Sequence, residues 1–161
     1  MARYYKYRSP EDVETDARSM GLEISTSEDF SVLLTPCAIG PLSAKNRLLV
    51  QPMEGCDGTL AGAPDELTVR RYERFGDGGA AVVWAEATAI AEDGRMNPRQ
   101  LWLADHTQRA IGEMIETCRR SHRQANGTEQ GLLVGLQLTH SGRYSHLRPQ
   151  LAVHDPVLDP L

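Results

Sequence analysis

The chain has 161 residues, of which 40% are hydrophobic and 24% charged, as is ordinary for a single globular domain. Its formal net charge of −5 offers no electrostatic basis for binding nucleic acid, and no apolar run approaches the roughly 20 residues that span a bilayer. The amino terminus lacks the apolar core of a secretory signal, and Cys37, Cys56 and Cys118 form no disulfide framework. We therefore expect a cytoplasmic protein that binds neither nucleic acid nor membrane.

Residues 1–31 are predicted to form an extension with one short helix. Ser9 is a suitable helix cap, Pro10 suits the first turn, and Glu11 and Asp12 face the positive end of the helix dipole. Gly21 then favours a helix end. We attach no function to this segment.

A second region, residues 32–161, begins with short apolar runs. Residues 32–34 and 48–50 are strand-like, and the Gly40-Pro41 and Lys45-Asn46 pairs between them favour turns, so a small hairpin leading into a longer strand is expected. Pro52 cannot donate a ladder hydrogen bond, which places the end of that strand near Gln51 or Pro52. A loop rich in turn residues follows over residues 56–63.

The next segments alternate between helix and strand. A helix is predicted from Pro64 to about Phe75, a buried strand over residues 80–84, and a polar loop over residues 92–100. Asp105 or Thr107 is expected to cap a long second helix with a clean amphipathic face. The apolar run over residues 132–138 is then the third strand of a parallel α/β sheet.

Polar residues stand where each of these strands ends. Each polar residue belongs to a short cluster at the strand end: the segment from Gln51 to Glu54, the pair Glu86-Ala87, or the end of the run at Gln137. Ligand-binding residues in parallel α/β folds gather at the carboxyl ends of strands, so these positions are site candidates. Taken alone, the stretch around Gln137 fits two interpretations equally well: a ligand site, or an ordinary strand end and turn with the Gln137 amide hydrogen-bonded in the core. Three strands also leave a sheet edge uncovered, which is the profile expected of a fragment.

Four stretches, in order and at matching spacing, resemble the old yellow enzyme family of flavin-dependent ene-reductases and NADH:flavin oxidoreductases. They are KNRLLVQPM at residues 45–53, GAAVVWAEAT at 79–88, the Gly94-Arg95 pair, and QLTHSGR at 137–143. The resemblance runs over about residues 33–146. It implies the amino-terminal portion of a TIM (β/α)8 barrel, with about three parallel strands preceded by a β-hairpin, since a whole barrel takes about 250 residues. Residues 32–161 are accordingly expected to be a truncated FMN-binding barrel.

The resemblance also implies roles for individual residues. Gln51, Pro52, Met53 and Glu54 would lie along the FMN, Ala87 would sit near the flavin O4, and Gln137 would offer its amide to the pyrimidine end. Catalytic residues would lie beyond Leu161, so none is expected within the chain. His140 and Arg143 are expected to buttress the site.

Glu54 departs from the family pattern, which often has Thr or Cys donating to flavin O4 at this position. An ionised carboxylate cannot donate, and it would oppose the negative charge of reduced flavin. Glu54 is therefore expected either to turn away or to lower the flavin potential, in which case Glu54→Thr would raise the midpoint. Cys56 is a possible substrate contact, although a loop cysteine without an activating partner is more often inert.

The expected function is an oxidoreductase that passes hydride from NAD(P)H through FMN to an activated alkene or similar small-molecule acceptor. The alternative is a non-catalytic half-barrel that associates with a complementary chain or with itself as a homo-oligomer. A metal site at His140, His146, His154 and Asp155 matches no standard zinc spacing, and no GxSxG motif supports a hydrolase.

Overall fold

The computed structural model describes residues 6–148, and these form a small antiparallel hairpin and a three-stranded parallel sheet packed against two helices. No helix within the described range is long and apolar enough to cross a membrane. The regular elements are α1 (Pro10–Ser19), β1 (Cys37–Ile39), β2 (Leu42–Ala44), β3 (Leu49–Val50), α2 (Glu66–Asp77), β4 (Val82–Ala89), α3 (Gln108–Asn126) and β5 (Leu133–Thr139).

The predicted helix of the amino-terminal segment is confirmed as α1. The Ser9 hydroxyl accepts a hydrogen bond from the Asp12 amide, and the Asp12 carboxylate accepts one from the Ser9 amide, which is a reciprocal capping box. Only Ala17 of this helix is buried. The division of the chain at residues 31 and 32 stays a prediction.

The strand predicted at residues 32–34 is wrong, because Ser31–Leu34 form a turn of 3-10 helix. Side chains that bond to the local backbone favour this turn over a sheet ladder. The Asp29 carboxylate accepts from the Ser31 amide at 2.9 Å, and the Thr35 hydroxyl donates to the Val32 carbonyl at 2.7 Å. The hairpin itself is confirmed, with β1 and β2 antiparallel and Gly40 at φ +57° in the turn between them.

The parallel sheet has the order β3-β4-β5. Leu49 pairs with Val82, and Val82 in turn pairs with Leu133, so the three strands run side by side in the same direction. β3 is shorter than expected: it ends at Val50, where the Met53 amide turns back to the Gln51 carbonyl at 2.9 Å. β4 is longer than expected because its last residue, Ala89, exchanges backbone hydrogen bonds with Leu101 and Leu103.

The helices begin close to their predicted positions. The Asp65 carboxylate accepts from the Glu66 amide, so α2 starts just after Pro64 rather than at it. Thr107, not Asp105, occupies the N-cap position of α3, but its side chain forms no capping hydrogen bond with the helix. Gly127 ends that helix in the left-handed conformation at φ +76°.

The core lies between one face of the sheet and the two helices. Its buried members include Tyr72 from α2, Val83 and Ala85 from β4, and Met114 and Cys118 from α3. Side chains of the opposite face are open within the described residues, where Leu49 is 48% and Trp84 is 47% exposed. Among residues 6–148, the sheet is therefore covered on one side only.

Candidate cofactor site at the strand ends

An irregularity in the pairing of β4 and β5 shapes the edge where the predicted site lies. Ala85 pairs with Leu136 and Thr88 with Leu138, so two residues of β4 stand opposite one residue of β5. Those residues are Glu86 and Ala87 on β4 and Gln137 on β5. The bulge-like shift thus brings two of the predicted cofactor contacts, Ala87 and Gln137, to the same level of the sheet.

Gln137 has an amide that is available to a ligand. Its side chain is half-buried and forms no hydrogen bond within residues 6–148. Ala87 beside it is 8% exposed and offers only a methyl group. An amide held at a strand end, next to a small residue, is the arrangement that a planar polar ligand needs on one edge.

The segment after β3 takes the other predicted contacts towards the same edge. Gln51 is exposed, Pro52 is half-buried, and the Met53 side chain is 76% exposed. The tight turn at Met53 then directs Glu54 towards the loop that follows β4. The four residues therefore lie exposed or half-buried at this edge, outside the core. We call the edge formed by these residues, Ala87 and Gln137 the rim.

Glu54 is held by two side-chain amides. Asn97 donates to its Oε2 and Gln100 donates to its Oε1, each at 3.0 Å. Burial is the main cause that raises the pKa of the Glu54 carboxyl, and the charge of Glu86 raises it further, while the Asn97 hydrogen bond acts in the opposite direction. Both carboxylate oxygens face the 97–100 loop.

Gln100 connects all three parts of the rim and was missed by the sequence analysis. Its Nε2 lies 3.0 Å from Glu54, 3.1 Å from the Ala87 carbonyl and 3.4 Å from the Thr139 hydroxyl. Its Oε1 accepts from the Met96 amide at 2.6 Å, and the residue is 1% exposed. The sequence gives no sign of this role, because Gln100 lies in an irregular loop without periodicity.

A second group missed by the sequence analysis fixes the loop after Glu54. Arg71 on α2 pairs with Asp57 and with Glu86, each at 2.5 Å, and Glu86 accepts from the Gly55 amide at 3.1 Å. A side chain at Gly55 would displace the Arg71 guanidinium, because an added Cβ would lie 1.9 Å from the Arg71 Nη1 atom. The two carboxylates raise the pKa of the Arg71 guanidinium above its ordinary value, although burial opposes this.

Cys56 lies on the same loop in a strained conformation, with φ +51°. Asn97 donates to its Sγ at 3.4 Å. Burial raises the pKa of the thiol, and Glu54, Glu86 and Asp57 raise it further. The thiol therefore stays protonated at neutral pH, which does not favour a nucleophilic role.

The two basic residues after β5 lie outside this network. The His140 ring packs on Gly94, where an added Cβ would lie 2.7 Å from Cδ2, and its Nδ1 accepts from the Gly142 amide. Arg143 lies over the Tyr144 ring, 4.9 Å from its centroid. For the metal alternative, His154 and Asp155 fall outside the described residues, and the part that is described holds no cluster of three metal ligands.

Comparisons with known proteins agree with the resemblance that the sequence motifs indicate. The chain is 28% identical to an NADPH dehydrogenase of Geobacillus sp. (strain WCH70) over 123 residues, which cover 73% of this chain and 32% of the relative. Among solved structures, morphinone reductase shares 26% identity with a TM-score of 0.59 over 75% of this chain and 29% of its own. The old yellow enzyme homologue from Zymomonas mobilis shares 26% identity with a TM-score of 0.54 over 73% and 32% of the two chains.

No protein-family model matches the chain. The chain spans about a third of the length of the curated relatives it matches. The parallel α/β architecture, the ordered motifs and these relatives agree with one another. The chain is similar to part of the old yellow enzymes, as its motifs indicated.

Proposed function

We propose that this chain forms the amino-terminal part of an FMN-dependent NAD(P)H oxidoreductase of old yellow enzyme type, built as a TIM (β/α)8 barrel. The observation that supports it best is the convergence of the strand ends. The register of β4 and β5 brings Ala87 level with Gln137, and the Gln100 amide links Glu54 to the Ala87 carbonyl. Cofactors of parallel α/β folds bind at this edge.

The residues present fit one side of a flavin. The Gln137 amide is able both to donate and to accept, and it has no partner within the described range. The small side chain of Ala87 leaves space beside it, and Gln51, Pro52 and Met53 supply main-chain groups along the rim. Bound FMN would supply the hydride chemistry between NAD(P)H and an activated alkene or similar acceptor. The residues of this chain would bind and orient the ring.

Cys56 is proposed as a contact on the substrate side rather than as a nucleophile. It is exposed at the rim next to Glu54, and its thiol is protonated at neutral pH for the reasons given above. His140 and Arg143 are proposed to support the end of β5, since the His140 ring packs on Gly94 and Arg143 lies on Tyr144.

A flavin-binding titration tests the proposal. Purified chain is titrated with FMN while flavin fluorescence is recorded, and the same is done for Gln137→Met, which keeps the side-chain length but removes the amide. We expect the dissociation constant to rise roughly tenfold, because one hydrogen-bonded amide is worth about 1–1.5 kcal/mol. The exposed Gln130→Met is the matched control and should bind like the unaltered chain. Absence of binding, or equal affinity in Gln137→Met, would contradict the proposal.

A second candidate function is favoured by the open face of the sheet. Leu49 and Trp84 lie about half-exposed on that face, whereas parallel sheets are normally covered on both sides. In this alternative the chain is a half-barrel that pairs with a complementary chain or with a second copy. Sedimentation velocity of the full chain decides between the possibilities: association that is lost in Trp84→Glu supports pairing, and a strict monomer at all concentrations rejects self-association.

A further inference from the structure

The side chain of His122 is completely buried where α3 contacts α2. It is 0% exposed, and its neighbour Ser121 is 4% exposed. The two helices come very close here, since an added Cβ at Gly76 of α2 would lie 2.3 Å from the Cys118 carbonyl oxygen of α3. Any change in the charge of the His122 ring therefore takes place inside a tightly packed contact between the two helices.

One hydrogen bond determines which ring nitrogen of His122 carries the hydrogen. The Nδ1 atom lies 3.1 Å from the Gly76 carbonyl oxygen, and because a carbonyl oxygen only accepts hydrogen bonds, Nδ1 must donate. In the neutral ring Nε2 is then the nitrogen that carries no hydrogen. This Nε2 atom is buried and has no hydrogen-bond partner within residues 6–148. The neutral ring thus uses its only donor and leaves only a lone pair without a partner.

A proton on Nε2 would be unfavourable in these surroundings. It would turn Nε2 into a charged N–H donor, and no acceptor lies within hydrogen-bond distance of that atom in the described part of the chain. A buried donor without a partner is costly to the folded state, and a buried charge without a partner is more costly still. The folded chain therefore accommodates the neutral form of His122 much better than the charged form.

The charged groups around the ring do not offset a positive charge on it. Lys45, which follows β2, repels such a charge, and Glu129, in the loop before β5, attracts it but is already paired with an arginine of α3. On α2 the group that faces the ring is the Gly76 carbonyl, and the adjacent Asp77 is exposed. Burial is the main cause that lowers the pKa of His122, and Lys45 lowers it further, while the Gly76 hydrogen bond and Glu129 act in the opposite direction.

We propose that His122 is an acid-sensitive contact between α2 and α3: its neutral ring joins the two helices, and a proton on Nε2 weakens their packing. That proton comes from bulk water, and no covalent bond of the chain is broken. Unfolding exposes the ring to water, where its pKa returns to the ordinary value of 6.5. The stability that this contact provides is therefore present above pH 6.5 and is lost as the pH falls below that value towards the lowered folded pKa. The contact is independent of the proposed flavin site.

The hydrogen position is tested by imidazole ¹⁵N NMR on the full, unaltered chain without any ligand. The ring signals of His122 are assigned by through-bond correlation to its backbone amide, so this measurement needs no variant. We expect a hydrogen on Nδ1 and none on Nε2, and we expect this pattern to persist down to pH 5.5 in the folded chain. A hydrogen on Nε2 at neutral pH, or a folded ring that takes up a proton at the ordinary value of about 6.5, would overturn the proposal.

The effect on packing is tested by urea denaturation at pH 7 and pH 5.5. His122→Asn keeps an N–H donor near the Nδ1 position but cannot ionise. Between the two pH values, we expect the folding equilibrium constant of the unaltered chain to fall roughly eightfold more than that of His122→Asn, since the proton binds only after unfolding.

His106→Asn is the matched control, because the exposed His106 also contacts a carbonyl oxygen, that of Ala61, at 3.0 Å. It should keep the pH dependence of the unaltered chain. An equal pH dependence in His122→Asn and the unaltered chain would overturn the proposal. If His122→Asn does not fold, the NMR measurement on the unaltered chain decides alone.

Discussion

Arg71 balances the charge of the loop that carries the predicted cofactor contacts. It is 22% exposed, and it bridges Asp57 from the loop after β3 and Glu86 from β4. Removing one partner of a buried ion pair leaves an uncompensated charge, which costs more than the pair itself contributes. Without Arg71, the Glu86 carboxylate would be an uncompensated buried charge, because its side chain is almost completely buried.

Arg71→Met is therefore expected to lower the free energy of unfolding by about 3 kcal/mol, as measured by urea denaturation. Arg70→Met changes the exposed neighbour on the same helix and should alter stability by no more than about 0.5 kcal/mol. Equal, small effects in the two variants would show that the Arg71 bridge does not stabilise the loop.

The raised pKa of Glu54 has a consequence for stability against pH. The folded state binds the Glu54 proton more tightly than the unfolded state, so this residue favours folding at low pH. That contribution is lost as the pH rises from the ordinary value of 4.5 through the raised folded pKa.

Glu54→Gln, which cannot ionise, should consequently show a flatter dependence of unfolding free energy on pH across that window than the unaltered chain. Chemical denaturation at a series of pH values from 4 to 8 measures it, with Glu73→Gln as the control. Parallel pH profiles for the unaltered chain and Glu54→Gln would contradict a raised pKa of Glu54 in the folded state.

At the scale of the elements, α2 and α3 approach each other closely at Gly76. An added Cβ at Gly76 of α2 would lie 2.3 Å from the Cys118 carbonyl oxygen and 3.0 Å from the Ser121 Cβ of α3. His122 of α3 also has its Nδ1 3.1 Å from the Gly76 carbonyl. The two helices are packed at backbone distance, and only glycine permits this contact.

Gly76→Ala should lower the free energy of unfolding by about 2 kcal/mol, because α3 must move away from α2. Gly112→Ala is the matched control on α3, where nothing lies within 4 Å of the added Cβ. There the substitution should stabilise by about 0.5–1 kcal/mol through helix propensity. Thermal unfolding of the two variants checks that the changes in the free energy of unfolding have opposite signs. An unchanged stability in Gly76→Ala would contradict the close packing of α2 and α3.

Much of the element order follows from local signals. The Ser9 cap, the start of α2 close to Pro64 and the amphipathic spacing of α3 are read directly from the sequence. The 3-10 turn at Ser31–Leu34 was mispredicted because three consecutive apolar residues there are exposed, not buried in a sheet. Apolar runs this short do not distinguish a strand from a turn.

The side-chain contacts of the site could not be predicted from local sequence patterns. Gln100 and Glu54 are 46 residues apart, and Arg71 and Glu86 are 15 apart, so nothing in either segment marks its partner. The shift in pairing that sets Ala87 level with Gln137 also depends on tertiary register. Sequence motifs named the strand ends, whereas the side chains that hold the rim together became visible only in three dimensions.

At the scale of the whole molecule, the sheet has one covered and one open face. α2 and α3 bury one side, and Leu49 and Trp84 stand on the other within the described residues. The matched relatives are about three times longer than the segment they share with this chain. In the proposed barrel the open face would point inward and the strand ends would form one wall of the cofactor pocket.

The most direct test of that central claim is to map FMN on the chain by amide chemical-shift changes in a two-dimensional ¹⁵N NMR titration. The account predicts shifts that saturate with FMN and cluster at Gln51, Met53, Glu54, Ala87 and Gln137. The amide resonances of residues on the outer faces of α2 and α3 should not shift. Shifts confined to those outer faces, or no saturable shifts at millimolar FMN, would contradict a flavin site at the strand ends.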